Sequence, residues 1–465
     1  MSKLKRVFTH KSKLFLILVG MILALSCESP LGDEGTGGGS DGGGGSGGGG
    51  TITNKDGKVF PAWYLTAEQQ EKSFETNKTL FFSTVNPSQH YRIPAIIAAD
   101  NGNIVAICDN RHTKFGDIGQ INLSDFIDIV YKISKDGGDT WSEEKIILPK
   151  TTENKLATAN NKGDAIVFKH TDGTLVCMAV SGGGYAGAGA NTPSRMLRSE
   201  SVDNGETWSL WKEVGQELIQ TINTKHGKPQ GFLSSGRGLT LKDGTFAAAM
   251  AGPNFSIIYV YSTDKGTTWN YGQYIAGTSS GNYSVITEPK VIAELEDGKL
   301  LMSVRNSSAQ KTAQNFRLYA VSTTSASGGN ATWPSTFSKW NFTCGGVDSE
   351  GVVWTRASEH DKNRMLHIQA QQYNNTDRRG LKLYLSEDEG RTANWKQVRE
   401  ILPGTDRACY ASIDILGDGT VITFAEEPTR QSGTDYRQYD LVFRRYNMKA
   451  LTGEVYKTEW YKEVK

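Results

Sequence analysis

The chain has 465 residues, a formal net charge of +1, and 52 glycines against 12 prolines. This length accommodates one large domain or two to three ordinary ones, and a balanced charge without a basic block beyond the N-terminus argues against a nucleic-acid partner. Ten tryptophans and 18 tyrosines are typical of an all-β protein with many turns or of a protein that contacts carbohydrate.

Residues 1–26 form a predicted signal peptide, with a basic start and an apolar run from Leu14 to Ser26. This run is too short to span a bilayer stably. Cys27 follows in the sequence ALSC, which resembles a bacterial lipoprotein cleavage box, although Ala24 stands where leucine is usual. We therefore expect lipidation of Cys27 and a membrane-anchored protein exported to the outer membrane, cell surface or periplasm of a bacterium. A plain secretory signal followed by a bystander cysteine is the alternative.

Residues 27–50 are rich in glycine and serine and are predicted to be a flexible tether. Residues 51–80 are predicted to be an N-terminal extension that packs on the main domain, residues 81–465. The other cysteines lie in apolar runs without metal-ligand spacing, which favours buried thiols and leaves a disulfide open in an exported protein. They are Cys108, Cys177, Cys344 and Cys409.

A short motif that ends in tryptophan recurs about every 60–67 residues. The clear copies, SKDGGDTW, SVDNGETW, STDKGTTW and SEDEGRTANW, begin at Ser134, Ser201, Ser262 and Ser386, and a copy without its aspartate begins at Ser322. The aspartate is expected to cap its own turn through backbone N–H groups, and the glycine to adopt positive φ. A calcium loop is the alternative, although no further carboxylates recur at ligand spacing.

Asp-Gly and Asn-Gly turns interleave with this motif and precede apolar strands. They occur in DNGNIVAI, TDGTLVCM, KDGTFAAAM, EDGKLLMSV and GDGTVITF, and HDKNRMLHI fills the gap before the last one. Such turns between alternating strands indicate hairpins. Six turn–strand units predict an all-β fold, a six-bladed β-propeller with four antiparallel strands per blade.

The repeats follow the segment YRIPAI, in which Arg92 stands at the start of an apolar strand. Asp-box repeats preceded by Arg-Ile-Pro resemble the exo-α-sialidase (neuraminidase) family, over about residues 80 to 450. The resemblance implies a site on the propeller axis, hydrolysis of terminal α-linked sialic acids with retention, and a covalent tyrosyl intermediate. The expected substrates are sialylated oligosaccharides, glycoproteins or glycolipids, and we expect a monomer that needs no cofactor and no metal.

In this family three arginines hold the carboxylate of the substrate, because planar guanidinium groups form paired hydrogen bonds to a carboxylate. The resemblance assigns these roles to Arg92, to Arg305 in LLMSVRNSS, and to Arg378, eight residues before Ser386. Arg379 is the alternative for the third. Each arginine by itself is equally compatible with a solvated surface position, and only a closed radial fold would bring the three together.

Two further functional residues of the family have matches in this sequence, both near the first predicted strands. Arg111 in CDNRHTKFGD matches the arginine that contacts sugar hydroxyls, and Asp117, six residues later, matches the general acid/base on a loop. Asp125 and Asp128 are nearby competitors, but their position in a strand favours a structural role. Asp164 in NKGDAIVF is a further candidate for contact with the sialic acid ring.

A tyrosine nucleophile suits an anomeric carbon that already bears a carboxylate, since a second carboxylate would be repelled. Tyr410 in DRACYASIDIL matches this nucleophile, and Glu288 in VITEPKV matches the glutamate that activates it. A base is needed because the ordinary pKa of tyrosine is about 10. Glu426 in TVITFAEEP matches the glutamate that orients Arg92, with Glu427 as the alternative.

Two other functions remain open. A non-catalytic glycan-binding propeller would be expected to lack Tyr410 or Asp117, and both are present. A trans-sialidase, or an enzyme that transfers the sugar within the same molecule, would use the same residues with a different acceptor. The sequence of the loops around the site does not separate these from hydrolysis.

Overall fold

The computed structural model describes residues 50–53, 57–84, 89–112, 116–119, 127–147, 161–276, 286–306, 316–373, 378–429 and 438–457. The predicted signal peptide, Cys27 and the tether as far as residue 49 lie outside the described residues. Within the described ranges, no helix has the length and apolar character needed to cross a membrane.

Four short elements precede the first blade. They are strands β1 (Thr51–Thr53) and β2 (Val59–Pro61), helix α1 (Ala67–Gln70) and strand β3 (Glu75–Phe81). Strands β1 and β2 pair as an antiparallel ribbon. Helix α1 begins with a capping box, in which Thr66 and Gln69 each accept a hydrogen bond from the other's backbone N–H.

The first three blades follow one another along the chain. Blade one contains β4 (His90–Ala98), β5 (Ile104–Arg111), β6 (Ile127–Ser134) and β7 (Lys145–Ile146). Blade two contains β8 (Gly163–Lys169), β9 (Leu175–Gly182), β10 (Ser194–Ser201) and β11 (Lys212–Val214), and helix α2 (Gln216–His226) comes next. Blade three contains β12 (Phe232–Leu233), β14 (Leu239–Thr240), β15 (Phe246–Gly252), β16 (Ser256–Ser262) and β17 (Asn270–Ile275). Between β12 and β14, strand β13 (Gly236–Arg237) leaves blade three and pairs in parallel with β8.

The last three blades complete the ring. Blade four contains β18 (Ile286–Glu294), β19 (Lys299–Asn306), β20 (Phe316–Ser325) and β21 (Ser338–Thr343). Blade five contains β22 (Glu350–Thr355), β23 (Arg364–Tyr373), β24 (Arg378–Ser386) and β25 (Lys396–Arg407). Blade six contains β26 (Ala411–Ile415), β27 (Val421–Pro428), β28 (Tyr439–Tyr446) and the N-terminal strand β3, and helix α3 (Met448–Thr452) follows β28.

The prediction of an all-β, six-bladed propeller is confirmed, with two differences in detail. The sheets of blades two and three have five strands rather than four, because blade two gains the parallel strand β13 and both β12 and β14 pair with β15 in blade three. Strand β3 begins in the predicted extension (residues 51–80) and ends at Phe81, and it pairs with β28 as the outer strand of blade six. The N-terminal and C-terminal parts of the chain therefore share one blade, and this pairing holds the two parts of the ring together.

The repeated motif forms the turn between the third and fourth strands of a blade, and its aspartate caps that turn as predicted. In the first copy, Asp136 accepts a hydrogen bond from the backbone N–H of Thr140 (2.9 Å), and Trp141 donates its indole N–H to the carbonyl of Gly138 (2.9 Å). Gly138 has φ 101°, which an L-residue rarely adopts. In the degenerate copy of blade four, Thr324 accepts instead, from the backbone N–H of Thr332 (3.1 Å). The motif is therefore structural in this fold.

Apolar side chains fill the space between neighbouring blades. Phe168 of blade two and Phe246 of blade three, for example, are both fully buried and stack with ring centroids 4.5 Å apart. The four described cysteines are free and buried, which confirms the prediction of buried thiols. Since the apolar residues pack between blades, the polar ends of the inner strands are left to face the axis.

Candidate active site

Three inner strands begin with a bulge, and a predicted site residue lies at or beside each bulge. The strand pairing of β4, β8 and β18 shifts beside Ile93, Asp164 and Glu288, whose φ angles are 58°, 54° and 43°. Such backbone costs about 1–3 kcal/mol for a non-glycine residue. Bulges redirect side chains, so the strained positions turn Arg92, Asp164 and Glu288 toward a common centre.

Tyr410 lies at this centre, just before β26. Its hydroxyl oxygen is 2.9 Å from Oε1 of Glu288 and accepts a hydrogen bond from Nη1 of Arg305 (3.2 Å). Arg305 also forms a salt bridge of 2.5 Å with Oε2 of Glu288. Burial, followed by the neighbouring Glu288 carboxylate, raises the pKa of Tyr410 well above its ordinary value, although Arg305 opposes this. The phenol is therefore neutral at rest and next to a group that can accept its proton.

Arg92 is held by Glu426. Its Nε donates to Oε1 of Glu426 at 2.7 Å, and the two side chains are only 9% and 0% exposed. Glu426 also accepts from the backbone N–H groups of Ile93 (2.8 Å) and Tyr410 (3.2 Å). Burial would raise the pKa of Glu426, but the pairing with Arg92 outweighs it and the pKa is lowered. The same carboxylate thus fixes the first arginine and the backbone of the tyrosine.

For the third arginine and for the glutamate that holds Arg92, the sequence left two adjacent candidates each. Adjacent residues of a strand point to opposite faces of the sheet, so only one residue of each pair can face the site. The guanidinium of Arg378 lies 5.5 Å from the ring centroid of Tyr410, whereas Arg379 donates to the backbone carbonyl of Thr405. Glu427 likewise pairs with an arginine on the neighbouring strand, Arg444. The structure therefore brings Arg378 and Glu426, rather than their neighbours Arg379 and Glu427, into the site.

The three predicted carboxylate-binding arginines surround Tyr410. The guanidinium carbon of Arg92 lies 5.6 Å from the tyrosine ring centroid, that of Arg378 lies 5.5 Å from it, and Arg305 bonds to its hydroxyl. They come from blades one, four and five. The group is well suited to bind a carboxylate beside the tyrosine hydroxyl.

Arg111 and Asp117 are also brought together. The fully buried Arg111 donates to Oδ1 of Asp117 at 2.8 Å, and the Asp117 side chain is 63% exposed. Desolvation in the cleft would raise the pKa of Asp117, but Arg111, Arg92 and Arg378 outweigh it and the pKa lies below its ordinary value. An exposed carboxyl group at the rim of an arginine cluster is a suitable position for a group that exchanges protons with a ligand.

A second carboxylate, Asp109, supports Arg111 from behind. It accepts from Nη2 of Arg111 at 2.9 Å and from the backbone N–H of Asp164 at 3.0 Å. Burial raises the pKa of both Asp109 and Asp164, and the proximity of the two carboxyl groups raises that of Asp164 further. Asp164 also lines a small cavity together with Phe232 and Met196. Asp164 therefore lies beside Asp109 and Arg111, and its contact with a sialic acid ring stays a prediction.

The competing aspartates do not join this cluster in the described part of the chain. Asp128 is buried and its Oδ2 lies 3.2 Å from Nε2 of His112, which is consistent with the structural role expected for it. Asp125 lies outside the described residues.

Asp109 was not predicted from the sequence, and Cys409 was expected only to be a buried thiol. Asp109 precedes Arg111 by two residues on β5, and this spacing places both side chains on one face of the strand, so strand alternation could have identified it. Cys409 contacts Arg378, with Sγ 3.0 Å from Nη1. No local pattern predicts that contact, because it joins residues 31 positions apart in the chain.

A family model described as a BNR repeat-like domain matches residues 114–422, so the chain belongs to this family. Curated proteins that are similar to this chain are named sialidases. The sialidase of Micromonospora viridifaciens is 26% identical over 373 residues, which covers 76% of this chain and 52% of the relative. A sialidase of Bacteroides fragilis is 26% identical over 240 residues, which covers 47% of this chain and 40% of the relative. The chain thus spans about half the length of these relatives.

Solved sialidases share the fold. The NanB sialidase of Streptococcus pneumoniae superposes with a TM-score of 0.60 at 15% sequence identity, covering 80% of this chain and 71% of that one. At this identity the similarity concerns the propeller architecture. The resemblance inferred from the Asp boxes and the Arg-Ile-Pro segment is therefore confirmed at the level of the sialidase family and its fold.

Proposed function

We propose that the protein is an exo-α-sialidase that hydrolyses terminal α-linked sialic acids with retention through a covalent tyrosyl intermediate. The observation that carries this proposal is the Tyr410 hydroxyl, hydrogen-bonded to both Glu288 and Arg305 within a cluster of three arginines. The arginines fit the carboxylate of a sialic acid, and a carboxylate bound to them would bring the anomeric carbon next to the hydroxyl of Tyr410.

In the first step, the substrate carboxylate binds to Arg92, Arg305 and Arg378. The oxygen of Tyr410 attacks the anomeric carbon while its proton passes to Glu288. The bond to the leaving group breaks, and Asp117 protonates the departing oxygen. Because the pKa of Tyr410 is raised at rest, this proton transfer belongs to the attack itself and does not precede it.

In the second step, Asp117, now ionised, takes a proton from water, and the resulting hydroxide attacks the anomeric carbon. Tyr410 leaves and recovers its proton from Glu288. Each attack inverts the anomeric centre, so the product retains the configuration of the substrate. The exposed position of Asp117 gives it access to both the leaving group and the incoming water.

Proton NMR of the first product tests this proposal. With a synthetic α-sialoside, α-configured free sialic acid should appear before mutarotation. First formation of the β-anomer would contradict the tyrosyl intermediate, whereas an anhydro sugar would identify intramolecular transfer, and a new sialoside in the presence of lactose would identify a trans-sialidase. Sialoside binding without turnover would favour the glycan-binding propeller instead.

A mechanism-based trap tests the nucleophile directly. A 2,3-difluorinated sialic acid should form a slowly hydrolysed adduct, and peptide mapping by mass spectrometry should find it on Tyr410. An adduct on Glu288 or Asp117 would assign the nucleophile to a carboxylate.

We also propose that the enzyme acts on sialylated oligosaccharides, glycoproteins or glycolipids from a membrane anchor, as a monomer. The support for the anchor is the apolar N-terminal run followed by Cys27 and the glycine-rich tether. Metabolic labelling with a radioactive fatty acid should label the native chain but not a Cys27→Ser variant, and equal labelling would refute the anchor. Light scattering of the anchor-free chain tests the monomer.

A further inference from the structure

The three arginines differ in what holds them. Arg92 pairs with the carboxylate of Glu426 at 2.7 Å, and Arg305 pairs with that of Glu288 at 2.5 Å. Within the described part of the chain, the hydrogen bond found for Arg378 is to a thiol instead, from Nη1 to Sγ of Cys409 at 3.0 Å. Arg378 thus differs from Arg92 and Arg305 in the kind of group that its guanidinium bonds to directly, a thiol rather than a carboxylate.

Cys409 is well placed to hold an arginine. It is 1% exposed, precedes Tyr410 directly, and its backbone N–H donates to the carbonyl of Glu426 at 3.2 Å. Its sulfur also lies 3.8 Å from Nη2 of Arg92, so it bridges two of the three arginines. Burial raises the pKa of the Cys409 thiol, although Arg378 opposes this. The group therefore remains a neutral thiol at neutral pH.

We propose that Cys409 is a positioning residue that orients Arg378 without neutralising it. A carboxylate in this position would compete with the substrate carboxylate for the same guanidinium. A neutral partner fixes the geometry and leaves the guanidinium of Arg378 without a directly bonded carboxylate, so that the substrate carboxylate can take this place. This inference rests on the proposed function, because the anion in question is the substrate carboxylate.

Three substitutions at this position separate orientation from charge. In Cys409→Ser a neutral donor and acceptor remains, so KM for an aryl α-sialoside should stay within about twofold of wild type. In Cys409→Ala the partner is lost, and a hydrogen bond of about 1 kcal/mol predicts a roughly fivefold rise in KM with little change in kcat. In Cys409→Asp a carboxylate would neutralise Arg378, and KM should rise by more than about tenfold.

Cys344 supplies the matched control. It is a buried cysteine whose sulfur lies 4.0 Å from Nη1 of Arg317, but Arg317 also donates to the carbonyl of Val347 at 2.8 Å. Cys344→Ala should therefore leave KM unchanged, while its thermal stability reports the cost of losing a buried thiol. A shift in KM equal to that of Cys409→Ala would show that the effect is general to buried cysteines, and would overturn the proposal.

Binding measurements keep the inference distinct from the proposed catalysis. Calorimetry with the carboxylate inhibitor 2,3-didehydro-2-deoxy-N-acetylneuraminic acid measures binding without turnover. The affinity should be highest for the wild type, lower for Cys409→Ala and lowest for Cys409→Asp. Failure of turnover with this order intact would refute the enzyme and retain the role of Cys409. Equal affinities in all three proteins, or no binding by the wild type, would overturn the role of Cys409.

Discussion

Glu288 and Tyr410 are 122 residues apart in the chain, yet Oε1 of Glu288 lies 2.9 Å from the tyrosine hydroxyl. Glu288 belongs to the inner strand of blade four, and Tyr410 precedes the inner strand of blade six. Their distance is therefore set by the closed ring, which β3 completes by pairing with β28. The chemistry we propose depends on this long-range closure as much as on the two side chains.

Tyr410→Phe should abolish most of the turnover, because the attacking oxygen is removed while the ring that packs beneath Arg92 and Arg378 remains. We expect kcat to fall by about 100-fold or more, with a smaller change in inhibitor affinity. Steady-state kinetics with an aryl sialoside measures this. Tyr131→Phe is the control, since that hydroxyl donates to the carbonyl of Glu206 away from the site. Near-normal kcat in Tyr410→Phe would place the nucleophile elsewhere.

Arg378→Lys should raise KM by about tenfold or more, because a single ammonium group cannot form the paired hydrogen bonds of a guanidinium. The adjacent Arg379 gives a matched control in the same strand, since it points to the opposite face and bonds to the carbonyl of Thr405. Arg379→Lys should leave KM unchanged. If the two variants behaved alike, Arg378 would not be a substrate ligand.

Much of the fold follows from the sequence because the repeats are local. Each Asp-box turn and each Asp-Gly hairpin is specified within about ten residues, so their alternation counts the blades. The closing strand escaped prediction, because ETNKTLF lacks a clear alternation of apolar residues and gains its partner β28 only through the ring. For this reason the sequence predicts a single extension over residues 51–80 and no blade strand in it.

The sequence did not predict those features of the site that depend on contacts between distant residues. The choice between Arg378 and Arg379 depends on which of the two side chains points toward Tyr410 from the start of β24. The positive φ of Ile93 and Glu288 is imposed by surrounding contacts, since no local preference favours it for these residues. The pairing of Arg378 with Cys409 likewise depends on the folded sheet, because Cys409 follows β25 and reaches the start of β24 only when these two strands pair.

Asp117→Asn should discriminate between leaving groups. A phenolate with a low pKa departs without protonation, so kcat/KM for an activated aryl sialoside should fall by less than about tenfold. Sialyllactose needs the proton, and its kcat/KM should fall by about 10²–10⁴-fold. Each substrate serves as the control for the other, and equal losses on both would contradict the role of Asp117 as the general acid.

The pH dependence of the wild type should report the arginine cluster. In the free protein, these arginines hold the pKa of Asp117 below its ordinary value, so the protonated acid is lost as the pH rises through that lowered pKa. Binding of the substrate carboxylate offsets the arginine charge and should raise the pKa of Asp117. The alkaline limb of kcat should therefore lie at higher pH than that of kcat/KM for sialyllactose. Coincident limbs would indicate that substrate binding does not alter this group.

Glu426→Gln should destabilise the fold in a pH-dependent way. Removing one partner of a buried ion pair costs about 3–5 kcal/mol, because Arg92 is left charged and only partly compensated. The pKa of Glu426 is lowered in the folded state, so its contribution is present above the ordinary glutamate pKa and is lost as the pH falls through the lowered value. Urea unfolding should show a large difference from wild type near pH 7 that shrinks in acid.

Glu427→Gln is the matched control, since its partner Arg444 lies outside the site. Glu427→Gln should leave KM unchanged, whereas Glu426→Gln should raise KM. A stability difference for Glu426→Gln that grew as the pH fell would contradict the assignment of Glu426 as the charged partner of Arg92.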